Sequence, residues 1–388
     1  MFGRAAFLAP LTAVVVLVSG CSPGEEQRPS ESSSSPTSSV STEWKVRQGT
    51  LGDSTVSQLR KGWKADWPNQ AQPFEVNASS TKLVAAVKSK GFFGVALIDA
   101  RTDGVIEQVD PFADREKSQA AGQANKDFAV WKEYRSLNGL DEYVVKEWDR
   151  RQHKVRQIGE SRRASDGLTY SSPWQAPVLV DGNAAWVEGS DYEGGGKLVI
   201  VNLATGKRHV APGATHPGWL STFGSTLMWA ESPAPGALTQ LHAIDIGTRK
   251  PVELPGALKA LRGAGFLITD GKAAAWVRTN DVGVSLMVLR SMDAEPVEVK
   301  TFTDDGFSPA FAITPRLITA SISGGGLLLL DLTSGRFVIQ KDASYAVVAG
   351  STLMVSPFVV AENKEHPPPL PFAQISQNDA TKILPANE

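Results

Sequence analysis

The sequence predicts an all-β chain: a β-propeller of seven four-stranded blades, with six or eight as the alternative counts. Three observations carry this expectation. A strand–turn–strand unit recurs along the chain, a tryptophan recurs at one place in the unit before it, and the two together repeat at the period of a propeller blade.

The first observation rests on four segments: GVALIDARTDGVIEQV from Gly94, KLVIVNLATGKRHV from Lys197, QLHAIDIGTRKPVEL from Gln240 and GLLLLDLTSGRFVIQ from Gly326. Each reads as an apolar strand, an Asp or Asn, an apolar residue, a short polar turn and a second strand. Asp99, Asn202, Asp245 and Asp331 hold the same place. A side chain this short can accept from turn amides ahead of it, and Gly104, Gly206 and Gly335 supply a left-handed turn residue. A row of metal-binding carboxylates is the other reading, but equivalent positions of successive repeats lie far apart in space.

The second observation lies upstream. VDGNAAWVEG, FGSTLMWAES, TDGKAAAWVR and AGSTLMVSPF each pair a turn glycine with a strand of small apolar residues. Trp186, Trp229 and Trp276 recur after Gly182, Gly224 and Gly271; Val355 takes the place after Gly350, and Trp131 fits in DFAVWKE. One indole per unit suits blade-to-blade packing, with stacking on a sugar as the functional alternative.

Joined, these segments give a four-strand unit. Second strands are expected to begin near Lys82, Asp127, Asn183, Ser225, Lys272, Arg316 and Ser351, at intervals of 45, 56, 42, 47, 44 and 35 residues. That is the spacing of four-stranded blades, and helix-period stretches are scarce. The units run from about Gln72 to Glu388, with FAQISQNDATKILP supplying the last blade's outer strands. The pattern resembles the TolB-like and YncE-like extracytoplasmic propellers of bacteria. That resemblance implies architecture and names no ligand.

The front of the chain reads differently. Arg4 precedes an apolar run from Ala5 to Val18, a charged start and apolar core of signal-peptide length and too short to span a bilayer comfortably. Val18-Ser19-Gly20-Cys21 follows, holding the only cysteine of the chain. The order branched aliphatic, small, small, Cys resembles the lipobox of bacterial lipoproteins. The resemblance implies cleavage between Gly20 and Cys21 and a lipid, a palmitate-type acyl anchor, on Cys21, which would hold the protein to the membrane on its extracytoplasmic side. An ordinary signal peptide followed by a chance cysteine is the alternative. Ser22 to Glu43 is rich in Ser, Pro and Glu and too poor in apolar residues to fold, so it reads as a tether. The expected organisation is a signal peptide over 1–20, a lipidated cysteine and tether over 21–55, and a propeller over 56–388.

Composition narrows the function. A net charge of −2 gives no footprint for nucleic acid. A single cysteine allows no internal disulfide, so packing must stabilise the fold. His153, His209, His216, His242 and His366 show no metal-ligand spacing, and no Gly-x-Ser-x-Gly elbow occurs. No catalytic residue, metal or cofactor is therefore assigned. Glu133, Glu188 and Glu231 each follow a repeated tryptophan by two residues, and could meet at one rim as an acid–base set acting on a glycan.

Loop lengths suggest where recognition sits. With strands A to D counted outward, A–B and C–D turns share one face and are tight; B–C and D–A loops share the other and are long and irregular. Long loops on a rigid face are where recognition concentrates. The candidates there are Arg115, Arg135, Arg162, Arg163 and Arg278 for anions, Trp174, Tyr192 and Trp219 for stacking, and His216, Asp304 and Asp305, with Asp114 and Asp191, as polar handles. The expected function is a non-enzymatic, membrane-anchored cell-envelope lipoprotein whose propeller binds or scaffolds an envelope protein or glycan. The alternative is an exported propeller enzyme acting on carbohydrate. Two carboxylates facing each other in a deep pocket would favour the enzyme; a loop-walled face of scattered charges would favour docking.

Overall fold

Apolar second strands form where the repeat places them. In the computed structural model they are Lys82–Ser89, Phe128–Tyr134, Asn183–Glu188, Thr226–Glu231, Ala274–Asn280, Leu317–Ile322 and Thr352–Pro357. The structure describes residues 45–48, 70–74, 82–89, 92–99, 105–114, 119–135, 142–161, 175–189, 196–232, 238–280, 283–302, 307–322, 326–340, 343–349, 352–357 and 373–376. The described strands make seven sheets in chain order, each running antiparallel from first strand to last, apart from one added parallel strand. The first strands of blades two to seven contact one another in sequence, so the first strand of each blade is the innermost. Among the described residues no helix is long and apolar enough to cross a membrane.

A strand in the middle of such a stack is buried on both faces, and its alternate side chains serve two neighbours. Blade two shows this. Ala129 and Trp131 pack with Phe74, Val84, Val95 and Leu97 of blade one, while Val130 and Tyr134 pack with Ala184, Trp186 and Val199 of blade three. Trp229 and Trp276 fill the next two interfaces. These four indoles are at most 4% exposed, so they are packing elements and not stacking platforms. Truncating an aromatic of this kind costs about 3–5 kcal/mol. Gly159, on the outer strand of blade two, makes room for one of them: a Cβ there would lie 2.5 Å from the Trp186 ring.

In blades three, four and six the repeated Asp or Asn closes the C–D turn in the expected way. The Thr205 amide donates to Asn202 Oδ1 (3.0 Å), Thr248 to Asp245 Oδ1 (2.7 Å) and Thr333 to Asp331 Oδ1 (2.9 Å). The apolar residue that follows has its own purpose. Leu203, Ile246 and Leu332 are buried, and their amides donate back to Gly182, Ser225 and Arg316 carbonyls at the A–B turn of the same blade. Gly206 and Gly335 adopt φ of 70° and 71°; Arg249 takes the same left-handed place at 63°. The side chain of Asp99 lies outside the described residues.

Two features depart from the sequence reading. In blade four the expected outer strand after Asp245 is reduced to one bridge, Ile244 to Pro251. Pro251 has no amide to continue a ladder, and a short helix, Gly256–Lys259, follows and packs Leu258 into the interface with blade five. Within the stretch read as tether, Arg47–Gln48 runs parallel to Arg336–Gln340 as a fifth strand on blade six. Val46 beside it packs on the apolar cluster around Leu330 and Phe337.

One buried charge sits between blades two and three. Lys132 is 1% exposed, with Nζ 4.9 Å from the Tyr143 ring centre. Burial pushes its amine down to about 7, against partial support from Glu188. Below about pH 7 the amine is charged in both folded and unfolded chains, and the whole cost of burying it is present. Above that, the folded chain holds it neutral while the unfolded chain still binds a proton, so stability rises with pH. Thermal melts of the wild type should therefore climb from pH 7 to 9. Lys132→Met should melt higher at pH 7 and show a flatter profile over that window. Val46→Asp should destabilise the fold by about 1–3 kcal/mol in a denaturant titration, since it places a charge against the blade-six cluster.

Candidate functional site

The B–C/D–A face begins at the ends of the second strands, where blades two, three and four carry glutamates. Glu133, Glu188 and Glu231 are at most 6% exposed, and each is bonded within its own neighbourhood. Glu133 Oε1 accepts from the Ala113 amide (3.0 Å), in the connection from blade one to blade two. Its Oε2 accepts from Lys146 Nζ (2.7 Å), which also reaches Asp110 Oδ2 (2.6 Å). Burial opposes the Lys146 charge, but its bonds to Asp110 and Glu133 outweigh that and raise its pKa. Glu231 Oε1 accepts from the Thr215 amide (2.8 Å), the Thr215 hydroxyl (2.9 Å) and the His216 amide, in the connection from blade three to blade four; Oε2 accepts from Trp229 Nε1 (2.8 Å). Glu188 pairs with Arg208 at 2.6 Å, and burial raises its pKa despite that partner.

These carboxylates do not meet as an acid–base set. They lie on the second strands of three different blades. Two fasten an incoming loop to the strand beneath it, and the third ties the second strand to the outer one. The spacing of two residues after the tryptophan arises because position i+2 shares a strand face with i.

A cavity of about 640 Å³ opens on this face beside the end of blade two, bounded by Arg135, Glu142, Gln157, Glu160, Glu188 and Arg208. Arg135 is exposed, and its amide donates to the Glu142 carbonyl (2.9 Å), closing the base of the B–C loop. The walls carry both signs of charge. Glu142, Glu160 and Arg208 were not singled out from sequence; nothing local marks them, because the cavity forms only when blades two and three pack.

The other candidates divide as follows. His216 is partly buried at the end of a D–A loop, held by Glu231. Trp219 lies on the inner strand of blade four, Pro217–Phe223, and meets Phe266 of blade five edge-on at 5.1 Å and 72°. Both inner strands carry a register shift at this end, between Pro217 and Leu220 and between Gly265 and Ile268. Such bulges re-aim side chains at rims. Arg278 sits on the strand Ala274–Asn280 and pairs with Glu298 at 3.3 Å. Asp114 is described and half-buried. Arg135, His216 with Trp219, and Arg278 thus belong to three blades, and among the described residues no hydrogen bond or ion pair joins the three groups. Gly20, Cys21, Arg115, Arg162, Arg163, Trp174, Asp191, Tyr192, Asp304 and Asp305 lie outside the described residues.

No protein-family model matches the chain, and no curated protein matches it. Solved structures do. An oligogalacturonate lyase in complex with manganese is 12% identical with a TM-score of 0.52, over 80% of this chain and 91% of its own. The oligogalacturonate lyase of Vibrio parahaemolyticus is 11% identical with a TM-score of 0.52, over 81% and 93%. TolB from Acinetobacter baumannii is 12% identical with a TM-score of 0.42, over 74% and 69%. At these identities the likeness to the lyases is one of fold, and that fold is the β-propeller.

Proposed function

We propose that the chain is a cell-envelope lipoprotein, anchored to the membrane through Cys21 on the extracytoplasmic side, whose propeller docks an envelope protein or glycan through the B–C/D–A face without chemistry of its own. The observation that supports docking most directly is the use of Glu133, Glu188 and Glu231. Each is buried and spent on a bond within the fold. What the described face offers instead is a loop-walled cavity with Arg135, Glu142, Glu160 and Arg208 distributed around it. Mixed charge around an open cavity suits orientation of a polar partner and gives specificity more than affinity. The sequence Val18-Ser19-Gly20-Cys21 supports the anchor. The carbohydrate-enzyme reading draws on the fold shared with the lyases, and loses the three glutamates it would have used.

Two measurements test this. Cys21→Ala should accumulate unprocessed precursor that takes up no labelled fatty acid; normal processing with labelling would remove the anchor from the proposal. A photo-crosslinking residue at position 135 should capture an envelope component in cells, and the same residue at exposed Thr248, on the opposite face, should not. Capture at 248 alone would place docking on the wrong face.

A further inference from the structure

The parallel strand on blade six fixes the face at which the front of the chain leaves the fold. Arg47 pairs with Arg336 and Gln48 with Phe337. Arg336–Gln340 starts at the C–D turn that Asp331 closes and runs toward the B–C/D–A face. Arg47–Gln48 runs the same way, so Lys45 and Val46, which precede it, lie at the A–B/C–D end. Val46 packs on the blade-six cluster and holds this end in place. Cys21 is upstream of Val46. A lipid on Cys21 would therefore draw the fold to the bilayer by its A–B/C–D face, since a chain leaving there need not pass around the blades.

The exposed charges of this face have the sign such a surface needs. Lys126 and Lys154 of blade two, Lys207 of blade three, Lys250 of blade four and Lys272 of blade five stand exposed in its turns or next to them. Among the described residues none of the five has a carboxylate partner. The carboxylates of the same turns are mostly spent within the fold. Asp149 Oδ1 accepts from the Arg151 and Gln152 amides (2.9 and 3.0 Å), and Asp270 Oδ1 from the Lys272 and Ala273 amides (2.9 and 2.8 Å). Asp245 serves its own turn, Asp127 pairs with Arg151 at 2.6 Å, and Asp331 pairs with Arg316 at 3.3 Å. Asp181, Asp293 and Glu295 are the exposed carboxylates of the described turns. A lysine stem carries its ammonium group out beyond the turn, whereas a carboxylate bonded to turn amides stays at the level of the backbone. The whole-chain charge of −2 conceals this asymmetry. Attraction to an anionic surface acts within about one Debye length, roughly 8 Å at physiological salt. A nearby point of attachment keeps the face within range, so contacts that are weak singly act together. A lipid chain joined to a basic patch is a two-signal anchor.

We propose that the A–B/C–D face is a membrane seat: its exposed lysines rest on anionic phospholipid headgroups of the bilayer that holds the anchor, and the B–C/D–A face points away from that bilayer. The seat rests on the reading of Cys21 as the lipid anchor. The protein or glycan partner stays assigned to the B–C/D–A face, and only lipid is expected here. The test uses the full lipoprotein, purified from membranes and reconstituted in vesicles of phosphatidylcholine alone or with about 30 mol% phosphatidylglycerol. Lipidation occupies the one cysteine of the chain. Ala204→Cys, in the exposed C–D turn of blade three, and Thr279→Cys, exposed at the B–C end of the strand Ala274–Asn280, then each add a single site for a thiol-reactive fluorophore. A lipid spin-labelled in its headgroup should quench the label at 204 about threefold more with phosphatidylglycerol than without, and about 0.5 M salt should abolish the difference. The label at 279 should be little quenched in either vesicle. Lys207→Gln, Lys250→Gln and Lys272→Gln combined should bring quenching at 204 down to the neutral-vesicle value with the melt unchanged. Equal quenching at 204 and 279 overturns the seat, and so does quenching at 204 that ignores phosphatidylglycerol, salt and the lysine changes. Wild-type protein that labels at a free Cys21 thiol, or that fails to float with neutral vesicles, overturns the anchor and the seat with it; a blocked Cys21 on floating protein separates the first failure from the second.

Discussion

The fold depends on one constraint: the second strand of a blade is apolar on both faces, so no blade can bury it alone. Asn183–Glu188 and Thr226–Glu231 are buried at every position. A lone antiparallel sheet would leave half of that surface in water. Stacking sheets face to face removes it, and in the first four interfaces a large indole fills the width that aliphatic side chains leave. Trp131, Trp186, Trp229 and Trp276 take this place in four successive interfaces. Hydrophobic burial proportional to area then holds blade to blade in a chain with one cysteine.

Given that constraint, the turns keep strands in register. The Asp-apolar pair acts at two levels. The carboxylate or amide oxygen fixes the C–D turn, and the buried apolar residue bonds the A–B turn of the same blade through its backbone. Two turns on one face are thereby fastened to each other, so that face is short-looped and stiff. Arg249 shows how strongly the geometry is imposed: the backbone takes φ of 63° there without a glycine, a conformation that costs a non-glycine residue about 1 kcal/mol or more.

Periodic features were legible and solitary ones were not. The starts of the second strands follow from sequence to within about two residues, because each is an apolar run at a fixed place in the repeat, and those of blades three, four and five also carry a turn glycine and an indole four or five residues apart. The parallel strand Arg47–Gln48 left no such trace, since two residues have no period and their partner is far away in sequence. Blade four's outer edge misled for a related reason: KPVEL reads as a strand by its alternation, but Pro251 and Pro255 bracket it and the chain turns into a helix. At the site, Arg135 was legible as a loop cation. The burial of Glu147 was not, because a strand position with alternating polarity reads as solvent-facing, and it is the packing of blade three, which Arg156 reaches at the Leu203 carbonyl, that covers it.

The fate of the three glutamates connects packing to function. A carboxylate at the end of a rigid, doubly buried strand has a fixed position, and a loop amide that donates to it inherits that position. Ala113 and Thr215 are held in this way at two different blade junctions. The loops beyond such anchor points then start from places set by the core and not by their own sequences. Their composition can change while the blades beneath keep their register, because the stabilising contacts lie below the anchors. A face built like this can be given new recognition residues at little cost to the fold. The opposite face, in blades three, four and six, is instead closed by tight turns bonded to one another, so its loops have less freedom to vary.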